Sequence, residues 1–132
     1  MCGIAGIVNY KKDLKNTINR LNLSIKHRGP DENGFYFDKD ENIALTMTRL
    51  SIIGLDDGCQ PKISEDKNII IFFNGEIYNY KELNKIYFPK LHIKSDTEIL
   101  LRMYEKFGLN MLNSLNGMFS ICIYNKKKKR FS

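Results

Sequence analysis

The chain is predicted to fold as a single α+β sandwich, and three observations carry that expectation. Strand-like and helix-like stretches are mixed without the regular alternation that builds a parallel doubly wound sheet. The 132 residues suffice for one domain with a real core but not for two. Apolar residues make up 42% and charged residues 27%, with no internal repeat or low-complexity linker, which is ordinary globular composition.

The elements follow from local pattern. Residues 3–9, Gly-Ile-Ala-Gly-Ile-Val-Asn, are apolar on both faces and predict a deeply buried strand. Asn9 to Lys12 is a turn, and Asp13 can cap the helix that follows. Leu14, Ile18, Leu21 and Ile25 recur at helical spacing and give an amphipathic helix to about Lys26. His27-Arg28-Gly29-Pro30-Asp31-Glu32-Asn33-Gly34 breaks it into a structured loop. Gly34 to Phe37 is a short aromatic strand. Asn42 to Thr48 is a second strand, which Arg49 to Ile53 continue after a bend. Asp56 to Pro61 is another loop.

Asn68 to Phe73 is a strong strand, expected to stop at Asn74-Gly75, a tight-turn dipeptide. Tyr80 to Ile86 is a short helix. Ser95 opens a longer one, with Glu98 at capping-box spacing. Ile99, Leu100, Met103 and Phe107 form its apolar face, and Gly108 ends it. Asn110 to Leu115 adds a helical turn. Gly117 to Tyr124 alternates as a strand, with Phe119, Ile121 and Ile123 on one side. Arg130-Phe131-Ser132 starts the return strand of a hairpin, and the chain stops within that element.

Several function classes lose support at once. No apolar run reaches the ~18–20 residues that cross a bilayer. The N-terminal apolar stretch is too short for a secretory signal and lacks a basic start, so the expected location is cytoplasmic. Cys2, Cys59 and Cys122 are odd in number, widely spaced and without a His partner at ligand spacing, so neither a disulfide scaffold nor a metal site is expected. Net charge is +6, much of it from Lys126-Lys127-Lys128-Lys129-Arg130. That run could bind nucleic acid, but no aromatic residue interleaves it and no nucleic-acid motif accompanies it. A solvated turn between two strands is the preferred reading, so neither nucleic acid nor membrane is an expected partner.

Chemistry gathers at strand ends and helix starts, where a rigid scaffold usually presents its site residues. Cys2 stands directly behind the initiator Met1. With Met1 removed, one residue carries a thiol titrating near ~8.5 and an α-amine near ~8, a nucleophile with its own base. A buried strand beginning with a small apolar Cys is the alternative, and both readings stay open on this stretch alone. Hydrolysis of a side-chain amide needs fixed oxyanion donors, for which the Asn74 side chain and the Gly75 N–H would serve. A substrate α-carboxylate calls for a planar double donor such as Arg49. Its ammonium calls for Asp96 or Glu76. Each also has a plain structural reading: a hairpin turn, a salt bridge, a helix cap.

Taken together, these segments resemble the class II glutamine amidotransferases. The resemblance runs in order through Cys2-Gly3-Ile4, His27 to Asp31, Arg49 to Ile53, Gly58 to Pro61, Phe73 to Asn79, Ser95 to Glu98 and Leu115 to Phe119. It is nearest to the glutaminase domain of glutamine-hydrolysing asparagine synthetase. Branches that aminate sugars or phosphoribosyl pyrophosphate carry different wording around the arginine.

The resemblance implies a four-layer αββα N-terminal-nucleophile hydrolase sandwich. It implies Cys2 as nucleophile, Asn74 and Gly75 as oxyanion hole, Arg49 on the glutamine carboxylate and Asp96 on the amino group, with Glu76 nearby. The backbone of Leu50, Ser51, Ile52 and Ile53 would line the pocket. Ammonia would pass to an ATP-dependent synthetase domain or subunit, possibly within a homodimer. No cofactor is expected in this chain, ATP and magnesium belonging to the synthetase. Met47 stands where the family usually shows His, for which only a local packing change is expected. Residues 1–132 are expected to be a glutaminase domain lacking its C-terminal part and the synthetase. The alternatives are a non-catalytic glutamine-binding or synthetase-pairing remnant, and, with little weight, a basic adaptor.

Overall fold

In the computed structural model, residues 2–50 and 60–132 are described, and the chain divides into two compact units, Met1–Ile53 and Gly54–Ser132. In the first unit, β1 (Gly3–Ile7), β2 (Glu32–Asp38) and β3 (Ile43–Arg49) form an antiparallel sheet in the order β1-β3-β2. The central strand, β3, is buried along its whole length. Helix α1 (Leu14–Ile25) packs on β1 and β3. Asp13 caps it as expected, accepting from Asn16 N–H at 3.1 Å. Ile18 on its apolar face is fully buried.

Asn22 is buried too, because its amide donates to Thr46 Oγ1 at 2.7 Å and to the Met47 carbonyl at 3.3 Å. A polar residue on a packing face is tolerated when its donors are met in this way. Two expectations need correction here. β1 stands at the edge of its sheet, pairing among the described residues with β3 alone, and is only partly buried. β2 begins at Glu32 rather than Gly34, because Glu32 pairs in register with Arg49.

In the second unit, β4 (Lys62–Ile63), β5 (Ile69–Ile77), β6 (Gly117–Asn125) and β7 (Arg130–Phe131) form an antiparallel sheet in that order. Helices α2 (Tyr80–Tyr87) and α3 (Asp96–Phe107) and a short 3-10 segment (Gly108–Ser114) lie between β5 and β6 in sequence. Ile71, Phe73, Ile77 and Ile123 of the sheet pack with Leu83, Ile99, Leu100, Met103 and Met111 in one core. Ser95 caps α3 by accepting from Glu98 N–H at 3.2 Å. The Glu98 side chain does not complete the capping box. It is drawn instead to Lys62 at 2.6 Å and Arg102 at 2.9 Å.

The expected stop of β5 at Asn74-Gly75 does not occur. Asn74 pairs with Ser120 and Gly75 with Phe119, and the strand runs on to Ile77. A long partner strand outweighs the local turn preference of Asn-Gly. The two-residue β4 was not expected at all. Lys126 to Lys129 form an exposed turn between β6 and β7, as the sequence suggests, and Arg130 opens β7, paired with Asn125.

Candidate active site

In the first unit, Cys2 immediately precedes β1 and is half-buried. Gly3 pairs with Thr48, so Cys2 and Arg49 stand at the same end of adjacent antiparallel strands. The loop expected from His27 to Gly34 is what joins them. Arg28 Nε donates to the Cys2 carbonyl at 3.1 Å. Asp31 N–H donates to the Arg49 carbonyl at 3.1 Å, and Pro30 bridges to Arg49. A Cβ on Gly29 would lie 2.5 Å from the Arg49 carbonyl carbon, so only glycine lets the two backbones approach this closely.

Arg49 itself is only 8% exposed, and its Nη1 donates to Glu32 Oε2 at 2.9 Å. The pairing makes it more than a surface salt bridge: a buried guanidinium is anchored on one side by a carboxylate. Glu32 is therefore a residue of the site that pattern reading missed. Its only signal was its position two residues ahead of the expected strand.

Leu50 follows Arg49 at the surface. Ser51, Ile52 and Ile53, and the Asp56–Cys59 part of the expected loop, lie outside the described residues. Met47 is fully buried on β3, in register with Ile4 on one side and Gly34 on the other.

In the second unit, Asn74, Gly75 and Glu76 lie within β5, and Asp96 begins α3. Asp96 Oδ2 accepts the Ile77 N–H at 3.2 Å, so the helix start is tied directly to the strand that carries Asn74. Gly75 has φ +145, and a Cβ there would collide with the Met118 carbonyl. Glycine is required for both reasons. Burial pushes the Asp96 carboxyl above its ordinary range, helped by the Glu76 charge and opposed by the N–H groups of Ile77 and Thr97. Asn79 braces the far end of the segment: it donates to the Ser114 carbonyl and accepts from Asn116 N–H, both at 2.9 Å.

A cleft of about 340 Å³ opens beside α3, lined by Lys62, His92, Lys94, Ser95, Glu98 and Arg102 among others. Its charges are largely spent on one another. Burial works against the Glu98 charge, but its bonds to Lys62 and Arg102 hold the carboxyl below its usual range. This cleft is not the candidate site.

The structure resembles that of the glutamine phosphoribosylpyrophosphate amidotransferase from B. subtilis, with a TM-score of 0.73 over 96% of this chain and 35% of that one, at 19% identity. The shared fold is that of the N-terminal-nucleophile hydrolases. A sequence profile described as a glutamine amidotransferase domain matches residues 1–132. The chain belongs to the glutamine amidotransferase family.

It is 41% identical to the putative asparagine synthetase (glutamine-hydrolyzing) 2 of Methanocaldococcus jannaschii, over 97% of this chain and 28% of that protein. It is 35% identical to asparagine synthetase (glutamine-hydrolyzing) 2 of Bacillus subtilis, over 98% of this chain and 18% of that protein. The Escherichia coli asparagine synthetase B matches at 34% identity over 99% of this chain and 24% of that protein. The chain thus spans between 18% and 28% of the length of these relatives.

Proposed function

We propose that residues 1–132 hydrolyse the side-chain amide of glutamine and deliver the ammonia to an ATP-dependent synthetase, as a further domain or separate subunit, for asparagine formation from aspartate. The observation that carries the reading is the placement of Cys2 and the buried Arg49 at the same end of adjacent strands, tied together by Arg28 to Asp31.

With Met1 removed, the Cys2 α-amine takes the thiol proton, and Sγ attacks the glutamine Cδ. The oxyanion that forms is held by the Asn74 side-chain amide and the Gly75 N–H. The ammonium returns its proton to the leaving nitrogen, ammonia departs, and a thioester remains. Water, activated by the same amine, then releases glutamate and restores the thiol. Arg49 grips the substrate carboxylate and Asp96 its ammonium, with Glu76 adding negative charge beside Asp96.

The scheme calls for no cofactor in this chain, since thiolate, amine and amide donors suffice; ATP and magnesium belong to the synthetase. A cytoplasmic setting fits the scheme, because the mechanism needs Cys2 as a reduced thiol. The test is ammonia release from glutamine by the purified protein, with mass analysis of its N-terminal peptide. Turnover is expected with Cys2 as first residue, and Cys2→Ala should abolish it. Active protein that retains Met1 would remove the proposed base.

A further inference from the structure

We propose that Gln60 is a positioning residue for amide hydrolysis, a proposal that rests on reading Asn74 and Gly75 as the oxyanion donors. Among the described residues, the β4–β5 ladder comprises Lys62–Ile71 and Ile63–Ile70, with Ser64 N–H donating to the Ile69 carbonyl beyond it. Two residues past Ile71 along β5, at Phe73, a side chain takes over from the strand. Phe73 N–H donates to Gln60 Oε1 at 2.7 Å, and Gln60 Nε2 donates to the Phe73 carbonyl at 2.9 Å. A primary amide presents an acceptor and a donor in the arrangement of a peptide group, so Gln60 acts as one more residue of strand.

The placement matters because Phe73 is the residue immediately before Asn74. Fixing its carbonyl fixes the peptide plane that leads into Asn74. Four residues on, Asp96 Oδ2 holds the Ile77 N–H. Asn74, Gly75 and Glu76 therefore lie between two side-chain clamps, in a stretch where Gly75 departs from strand geometry at φ +145. β6 pairs with one edge of this stretch, and on the opposite edge, past the end of β4, the side chains of Gln60 and Asp96 hold Phe73 and Ile77 and so keep the backbone donors between them aimed. Oxyanion donors act chiefly in the transition state, so a loosened Phe73 should lower kcat and leave glutamine binding through Arg49 and Asp96 unchanged.

The test compares wild type, Gln60→Ala and Gln60→Glu in the full protein, by steady-state glutaminase kinetics across pH and by amide exchange at Phe73. Gln60→Ala should exchange faster at Phe73 and lose up to about 10²-fold in kcat, the cost of an ~1 Å misplacement, with KM unchanged. Gln60→Glu gives the sharper reading. As a carboxylate it accepts from Phe73 N–H but opposes the Phe73 carbonyl lone pairs; as a carboxylic acid it regains the donor. Its activity relative to wild type should therefore recover as pH falls.

Both variants keeping wild-type kcat below their melting temperatures, with no acid recovery, overturns the proposal and leaves Gln60 a stability residue. Slow Phe73 exchange in a wild-type protein that hydrolyses no glutamine overturns instead the reading of the site, and with it the catalytic role given to Gln60.

Discussion

Asp96 carries two tasks that pull in opposite directions. Its Oδ2 ties α3 to β5, and its charge is assigned to the substrate ammonium. Burial raises its pKa, so the folded protein binds the proton more tightly than the unfolded chain does. Stability from this group is therefore greatest at acid pH and is lost as pH rises through the raised pKa. Asp96→Asn keeps an oxygen for Ile77 N–H and removes the buried charge. Melting curves against pH should show the variant at least as stable as wild type near neutrality, the difference closing in acid. Its KM for glutamine should rise at neutral pH. A variant that melts lower at every pH would mean that the charge stabilises the fold. Arg49→Lys tests the other end of the substrate. Lysine keeps the charge but not the fork, and a lost charged hydrogen bond of ~1.5–3 kcal/mol predicts a KM increase of about 10–10²-fold, with kcat changed less.

The elements differ in how plainly the sequence announces them. α1 and α3 were legible because cap, apolar periodicity and terminator agree: Asp13 caps the first, and Ser95 and Gly108 bracket the second. β5 was misread at its end because Asn74-Gly75 is a turn signal only in the absence of a partner, and the register with Ser120 and Phe119 lies far along the chain. The site divides in the same way. Cys2, Arg49, Asn74, Gly75 and Asp96 could be put forward as candidates from residue type and order. Glu32 and Gln60 could not be assigned a role, because their partners, Arg49 and Phe73, are non-local and no short pattern encodes the pairing. Gly75→Ala puts the cost of β5 to the test. A non-glycine residue at positive φ costs about 1–3 kcal/mol before any clash, and here the Cβ also meets the Met118 carbonyl. The melting temperature should drop and glutaminase activity should be lost; a variant of unchanged stability would show that β5 and β6 can separate there freely.

Across the whole molecule, the positive charge is unevenly spread: five of the 21 lysines and arginines are consecutive, Lys126 to Lys129 in the turn and Arg130 opening β7, in a chain of net charge +6. The turn is bound to its own unit, since Lys126 N–H donates to the Asn68 carbonyl at 2.7 Å. The adjoining Asp66 carboxyl is held down to about 2 by bonds from Asn68 and Ser64, with a smaller contribution from the Lys127 charge. A field of this kind speeds association only with a charged partner. Glutamine is a zwitterion of zero net charge, so the turn should neither steer it nor bind it. Replacing Lys127 and Lys128 with serine should therefore leave kcat/KM for glutamine unchanged, and wild-type kcat/KM should vary little between low and high salt. The same pair of proteins titrated with duplex DNA separates the solvated turn from a basic adaptor. Weak association of equal strength in both is expected. Tight, steeply salt-dependent binding by wild type that the double variant loses would make the turn an interaction site in its own right.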